Sequence, residues 1–431
     1  MSTISRLLPE NTLENKLLAL VFAFFFGFFI WQPALLSPDT YSYLRADITR
    51  FPGYIIYLRS LQFVFGEGYA IAAVAGHLLM GIAAMSVFFK KCSEVFNLGN
   101  LSKIAVLFVL LFPYFKPINV ALNITSEGLA YPLYLLLLTF TLEFLFQNKM
   151  SRIWHIALVY LLLVLTRGQF IIVAPIIGFL FLLKLKRNIF NLKALLTFLL
   201  LLLLPIISGL ADRAYRSVFY GFAETTPYSY VNAVALPLFV SDQDDFKLFE
   251  DQNHQVIYQN SYNRLDSLQL ISSEVQGSYH EKYMRFHYNF PQICNQNIHE
   301  FGLNYYADIG VVPPKNAFAI EAACKAMFPK LIAEHFQEWL ALYYTSIVHG
   351  FKSVFILVFI IVLVFLSLFR ACKHFQKKNA FILLGCLFIL SNAMIVAMAS
   401  HSILRYLFYN YVVGLLIIIL LLKKFIPRYE P

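Results

Sequence analysis

Long apolar runs, broken by short polar stretches, dominate the chain, and none shows the two-residue alternation of a half-buried strand. Ten runs stand out, at roughly 17–37, 69–89, 103–120, 125–147, 154–166, 169–185, 193–211, 351–370, 379–399 and 403–423. Several approach the ~20 residues a helix needs to cross a bilayer. The fifth and sixth are short and share a break at Arg167–Gly168. The pattern predicts an all-α polytopic membrane protein of about ten transmembrane helices. Composition narrows the choice further. Hydrophobic residues make up 59% of the chain and charged residues 13%, where a soluble domain carries about 25% charged. Such a chain cannot solvate the surface of an ordinary soluble enzyme. The 44 Phe against 18 Gly fit lipid-facing helices better than a β-barrel.

The net charge of +10 resembles a nucleic-acid signal until it is mapped onto the runs. With the N-terminus placed in the cytoplasm, the segments on that side hold eighteen cations (Arg6, Lys16, Lys90, Lys91, Lys103, Lys149, Arg152, Lys184, Lys186, Arg187, Lys193, Arg370, Lys373, Lys377, Lys378, Lys423, Lys424 and Arg428) against four acids (Glu10, Glu14, Glu94 and Glu430). The outside segment 212–350 holds nine cations against fifteen acids. Short basic loops mark the cytoplasmic side, so these cations read as topology signals and membrane-surface contacts, with no nucleic-acid partner. Both termini are then cytoplasmic. The first run lacks a small-residue cleavage site and passes into Trp31-Gln32-Pro33, which reads as an uncleaved span.

Three regions follow: a membrane module over 1–211 with seven spans and a first outside loop at 38–68, an extracytoplasmic segment over 212–350, and three C-terminal spans with a tail over 351–431. In the first loop, Ser37 or Asp39 can cap a short helix, and Arg50-Phe51-Pro52-Gly53 breaks it. A second helix from Tyr54 carries Ile55, Leu58, Leu61 and Phe65 on one face. Two short amphipathic juxtamembrane helices lying on the membrane fit this pattern. The segment 212–350 is mixed, with an amphipathic helix expected from Pro313 to His349. Cys294 and Cys324 both fall outside, where a disulfide between them is allowed.

Four ionisable groups from distant stretches fall at the same outer level: Asp39 after the first span, Glu127 at the start of the fourth, Arg167 at the break between the fifth and sixth, and Arg405 at the start of the last. A carboxylate at the membrane edge can act as a general base, and ionisable groups beside apolar runs are usually functional. Asp242, Asp244 and Asp245 read as a solvated turn, and no histidine pair has the spacing of a zinc motif. His77 and Glu143, inside spans, read as packing or snorkelling residues.

The stretch Pro38-Asp39-Thr40-Tyr41-Ser42-Tyr43 … Arg50-Phe51-Pro52-Gly53-Tyr54 resembles the first outside loop of GT-C superfamily glycosyltransferases, which use polyprenyl-phosphate sugars. Thr125-Ser126-Glu127 resembles that superfamily's second acidic position, Leu165-Thr166-Arg167-Gly168 its Thr-Arg turn, and Arg405-Tyr406 the opening of its late span. Phe328-Pro329 … Trp339-Leu340 … His349-Gly350 resembles the amphipathic helix before its later spans. Only one acid, Asp39, directly precedes the tyrosines, and Ile55 stands where the family usually has proline.

The resemblance implies an inverting glycosyltransferase in a bacterial inner membrane, with its active site on the outer face. It would move a sugar from a polyprenyl-phosphate donor to a cell-envelope glycan or a lipid-linked acceptor. Asp39 would be the catalytic base, with Glu127 beside it orienting an arginine or the sugar, or binding a divalent ion. Arg167, Arg405 and Arg50 would hold the donor phosphate, and Tyr41, Tyr43, Tyr54 and Tyr406 would contact substrate. The segment 212–350 would hold the acceptor, with Tyr258 among the tyrosines able to stack on sugar rings. No further cofactor is implied. Two other readings stay open: an O-antigen-type polymerase or ligase, and a lipid or solute transporter.

Overall fold

A computed structural model describes residues 13–186 and 191–423. The cations Arg6, Arg187, Lys424 and Arg428 and the acids Glu10 and Glu430 of the charge map lie outside the described residues. Every regular element among the described residues is helical, and the one β-type contact is an isolated bridge between Leu35 and Asn123. The helices run in order α1 (Leu13–Ile30), α2 (Pro38–Leu44), α3 (Pro52–Phe65), α4 (Tyr69–Phe96), α5 (Asn100–Leu111), α6 (Glu127–Phe146), α7 (Arg152–Val164), α8 (Val173–Leu185), α9 (Leu192–Tyr220), α10 (Ser229–Ala233), α11 (Ala235–Phe239), α12 (Gln252–Ser267), α13 (Tyr279–Ile293), α14 (Glu300–Asp308), α15 (Lys315–Glu334), α16 (Phe336–Phe351), α17 (Val354–Lys373), α18 (Lys377–Ala399), α19 (Leu404–Leu407) and α20 (Tyr411–Leu422).

Among the described residues, eight stretches are long and apolar enough to cross a membrane. The expected runs 103–120 and 154–166 fold as the shorter apolar helices Asn100–Tyr114 and Arg152–Val164. The chain is therefore a polytopic helical protein suited to a lipid bilayer. The two helices expected in the first outside loop form as α2 and α3. The second does not end as a separate surface helix. It continues through a 3-10 turn at Gly66–Gly68 into α4, so that Pro52–Phe96 is one apolar stretch of 45 residues.

The chain divides into two compact units. One holds the described residues up to Ala46 together with Gly53–Arg167, and the other holds Asp47–Pro52 together with Gly168 onward. The first unit is built around α6, whose residues are buried on all sides, with α4 and α7 packed against it. A helix that is apolar all round must be enclosed by protein or by lipid. α6 is enclosed by protein, whereas only 22% of α1 is buried, which leaves most of that helix as lipid-facing surface. Tyr131 ties α6 to the end of α5, its hydroxyl donating to the Leu110 carbonyl at 2.9 Å. Glu143 near the other end of α6 accepts Lys149 at 2.7 Å, Arg152 at 2.5 Å and Lys91 at 3.4 Å.

In the second unit α8, α9, α17, α18 and the last two helices supply the long apolar elements, and the segment from α10 to α16 gathers a core that also takes in Leu357 of α17 and Ala397 of α18. That core gathers Leu236, Phe239, Ile257, Phe286, Ile320 and Met327, each at most 3% exposed. Its helices start where the sequence offers caps: Asp251 accepts the Asn253 and His254 amides at α12, and Ser278 and Glu281 form a reciprocal capping box at α13. The single helix expected from Pro313 to His349 is two, α15 and α16, parted at His335.

Three expectations for this segment are corrected. Cys294 and Cys324 are free, fully buried thiols, and Cys294 Sγ donates to the Val231 carbonyl instead of bonding to Cys324. Asp245 is not in a solvated turn: it is buried, caps the Asp242 amide at 2.8 Å and pairs with His335 Nε2 at 2.6 Å. Tyr258 is fully buried and donates to the Asp242 carbonyl at 2.5 Å, so its ring has no face for a sugar.

A buried latch closes the end of α9. Arg216 is 0% exposed, and its Nη2 donates to the Arg50 carbonyl at 2.9 Å and to Thr226 Oγ1 at 2.7 Å. Thr226 in turn donates from its amide and its hydroxyl to Asp212. Thr226→Val keeps the shape but leaves charged groups without their hydroxyl partner. It is expected to cost about 1–3 kcal/mol of stability, read as a lowered thermal midpoint of the purified protein in detergent.

Candidate functional site

The first unit assembles a polar site from three separated stretches. After α1 the chain is held by two backbone bonds: the Leu35 amide donates to the Leu122 carbonyl at 2.8 Å, and the Ile124 amide donates to the Leu35 carbonyl at 3.1 Å. α2 then starts at Pro38, where proline's preset φ suits a first helical turn. The Ser37 amide donates to Thr40 Oγ1 at 3.0 Å, and that hydroxyl donates to the buried Ile124 carbonyl at 2.9 Å. Asp39, half-buried in this turn, is therefore pinned through its neighbours to the strand-like stretch that leads into Glu127.

Glu127 opens α6 and is 2% exposed. A lone carboxylate in that position would bear a large desolvation cost. It is paired instead: Arg167 Nη1 lies 2.5 Å from Glu127 Oε1 and also donates to Ser126 Oγ at 3.2 Å. Arg167 comes from the turn after α7, where its amide still bonds to the Leu163 carbonyl. Thr166 Oγ1 donates to the Leu162 carbonyl at 2.7 Å.

Gly53 explains why the first loop approaches that turn so closely. Its amide donates to the Leu165 carbonyl at 2.7 Å, and a Cβ there would lie 2.6 Å from Thr166 Oγ1 and 2.9 Å from the Leu165 carbonyl oxygen. Only glycine fits. Next to it, Tyr54 is fully buried. Its ring meets Tyr43 edge-on at 4.8 Å and its hydroxyl lies 3.2 Å from His77 Nε2, while His77 Nδ1 lies 3.0 Å from the Ala121 carbonyl. The Nδ1–H therefore donates to Ala121, and Nε2 accepts from Tyr54.

This arrangement revises the tyrosine assignments. Tyr43 and Tyr54, 5% and 0% exposed, support the site from inside and are not placed to touch a substrate. Tyr41 is 47% exposed. His77 is a packing residue, as expected, and a specific one: it joins Tyr54 to the stretch before Glu127. The signal for this role lay in its sequence context, since a histidine in an apolar run must find partners for both ring nitrogens. Gly128, in the first turn of α6, faces His77, and a Cβ there would fall 2.4 Å from the imidazole. Gly128→Ala is expected to cost about 1–3 kcal/mol through overpacking, seen as a lower thermal midpoint, with the loss relieved when His77→Ala is combined with it.

The remaining candidates belong to the second unit. The Arg50 carbonyl accepts from Arg216. Arg405 lies in α19, and the Tyr406 carbonyl accepts from Gln169 Nε2 and Asn392 Nδ2, each at 3.0 Å. Among the described residues no group of three His, Cys, Asp or Glu side chains is placed to hold a metal ion. Glu127 is engaged by Arg167.

The chain matches no family model, no curated protein sequence and no solved structure.

Proposed function

We propose that this chain is an inverting glycosyltransferase of the GT-C kind, working at the outer face of a bacterial inner membrane with both termini in the cytoplasm. The donor is a polyprenyl-phosphate-linked sugar, and the acceptor is a cell-envelope glycan or a lipid-linked glycan. The observation that supports this reading is the buried Glu127–Arg167 pair in the same compact unit as Asp39, whose turn is pinned to the residues leading into Glu127. The seven-span module, and a total of ten spans, belong to the same proposal.

In the proposed reaction Asp39 takes the proton of the acceptor hydroxyl as its oxygen attacks the anomeric carbon. The bond from that carbon to the phosphate oxygen breaks, its electron pair leaves with the phosphate, and the configuration inverts. Negative charge grows on the leaving group, and a fixed guanidinium stabilises it without reorganising. Arg167 takes that role, with Glu127 and Ser126 positioning it. Tyr41 contacts the sugar from the rim. Arg50, Arg405 and Tyr406 enter through the sequence resemblance alone.

The test is deletion of the gene in its host, followed by mass spectrometry of the surface glycans. Loss of a single sugar residue is the expected result. Loss of long chains with the repeat intact would point to a polymerase, and an unchanged glycan profile would overturn the proposal.

A further inference from the structure

Three histidines and a lysine gather in the second unit with no acid among them. His287 lies on α13, His349 and Lys352 close α16 just before α17, and His401 sits in the turn between α18 and α19. The His287 ring centroid lies 4.9 Å from that of His349 and 4.9 Å from that of His401. All three rings are half-buried and Lys352 is exposed, so the cluster can be reached from solvent.

Among the described residues, one nitrogen of each ring has a hydrogen-bond partner. The Tyr283 hydroxyl accepts from Ser346 Oγ and from the Ser402 amide, both at 3.0 Å, and its own proton faces His287 Nδ1 at 3.4 Å. Assigned from this network, the His287 proton is on Nε2. Lys352 Nζ lies 3.2 Å from His349 Nε2, which puts that ring's proton on Nδ1. His401 is held by Ser400 Oγ at 3.4 Å and by the Phe290 ring at 4.4 Å. Among the described residues, the titratable and charged groups facing the cluster are Lys352, His280, Tyr283 and the histidines themselves, and none is a carboxylate. The result is a cluster of imidazole N–H donors and one ammonium with no carboxylate to balance it.

A phosphate group suits such a cluster. It has several acceptor oxygens and up to two charges, and a lysine ammonium is a common point-charge partner for it. The position suits it too, since His349, Lys352 and His401 all lie at the ends of candidate spans, the level of lipid headgroups. We propose that His287, His349, His401 and Lys352 form a binding site for a phosphomonoester or diphosphate group. The inference stands apart from the transfer reaction proposed above.

Burial, then the neighbouring cations, hold the free imidazoles neutral: His349 is lowered to about 4, His401 to about 3, and His287 is lowered as well. An unfolded histidine titrates near 6.5, so below about that pH the unfolded chain binds more protons, and the free protein loses stability as pH falls. A bound anion favours the protonated rings and reverses that trend.

The experiment uses the full-length protein. In neutral detergent, inorganic diphosphate is titrated by calorimetry at about pH 5.5 and about pH 7.5. In parallel, thermal midpoints are read in phosphatidylcholine nanodiscs with and without phosphatidic acid. Binding at least about tenfold tighter at the lower pH is expected, lost in His349→Gln/His401→Gln and weakened several-fold in Lys352→Asn. Asparagine tolerates the left-handed backbone of Lys352, φ 59°, so this exposed variant reads binding without unfolding the site. Diphosphate binding without a phosphatidic acid effect supports the site with a free anion as its ligand, and the reverse supports it with a lipid headgroup as its ligand. Binding of neither probe, or binding that the variants leave unchanged, overturns the proposal.

Discussion

Asp39→Asn is expected to abolish glycan transfer while leaving the protein folded. The side chain keeps its size and its ability to accept hydrogen bonds, and Leu35, Ser37 and Thr40 also pin its turn. What is lost is a carboxylate able to take a proton. General-base assistance is worth about 10²–10⁴-fold in rate, enough to erase the product in a host lacking the natural gene. The measurement is complementation of that host with wild-type or Asp39→Asn protein, scored by mass spectrometry of the surface glycans and by an unchanged thermal midpoint of the purified variant. Full complementation by Asp39→Asn removes Asp39 from the base role.

The second large effect is expected at the Glu127–Arg167 pair. Their side chains are 3% and 10% exposed, so removing one partner strands a charge in a poorly solvated place. Breaking such a pair typically costs about 3–5 kcal/mol, whereas replacing both partners by apolar residues is often near neutral. Glu127→Leu and Arg167→Leu should each lower the thermal midpoint strongly, and the double variant should recover most of it. Recovery of fold should not bring recovery of transfer, because the guanidinium proposed to meet the leaving phosphate is gone. Arg167→Lys separates the two contributions: it retains the charge and much of the stability, but loses the planar geometry and with it much of the rate. Additive losses in the double variant would show that the two side chains do not act as a pair.

The route from chain to site was legible in places. Glu127 and Arg167 stand out in sequence because each lies beside an apolar run, where an unpaired charge is costly. That they answer each other was not legible, since forty residues of chain and two helices separate them. Arg50-Phe51-Pro52-Gly53-Tyr54 reads as a helix break from its proline and glycine alone. The need for glycine at position 53 comes from Thr166, far away in sequence, and the burial of Tyr54 comes from His77 and Tyr43. Between α10 and α16 the elements are short and one helical turn of pattern says little. The Ser278–Glu281 capping box was a usable local cue, but the Asp245–His335 pair spans ninety residues and left no local trace.

The sequence by itself determined the class of molecule: apolar runs of near-membrane length, basic short loops and few charges require helices in lipid, because backbone groups there can be satisfied only within the helix. Span length is a local property, and it could be read without knowing any neighbour. The tertiary structure decided which polar groups meet. It paired Glu127 with Arg167, turned Tyr43 and Tyr54 inward, left Cys294 and Cys324 as separate thiols and brought His287, His349 and His401 together. Those outcomes depend on the cost of burying an unpartnered polar group, and that cost is set by whatever the fold places within a few ångströms, whatever the separation along the chain.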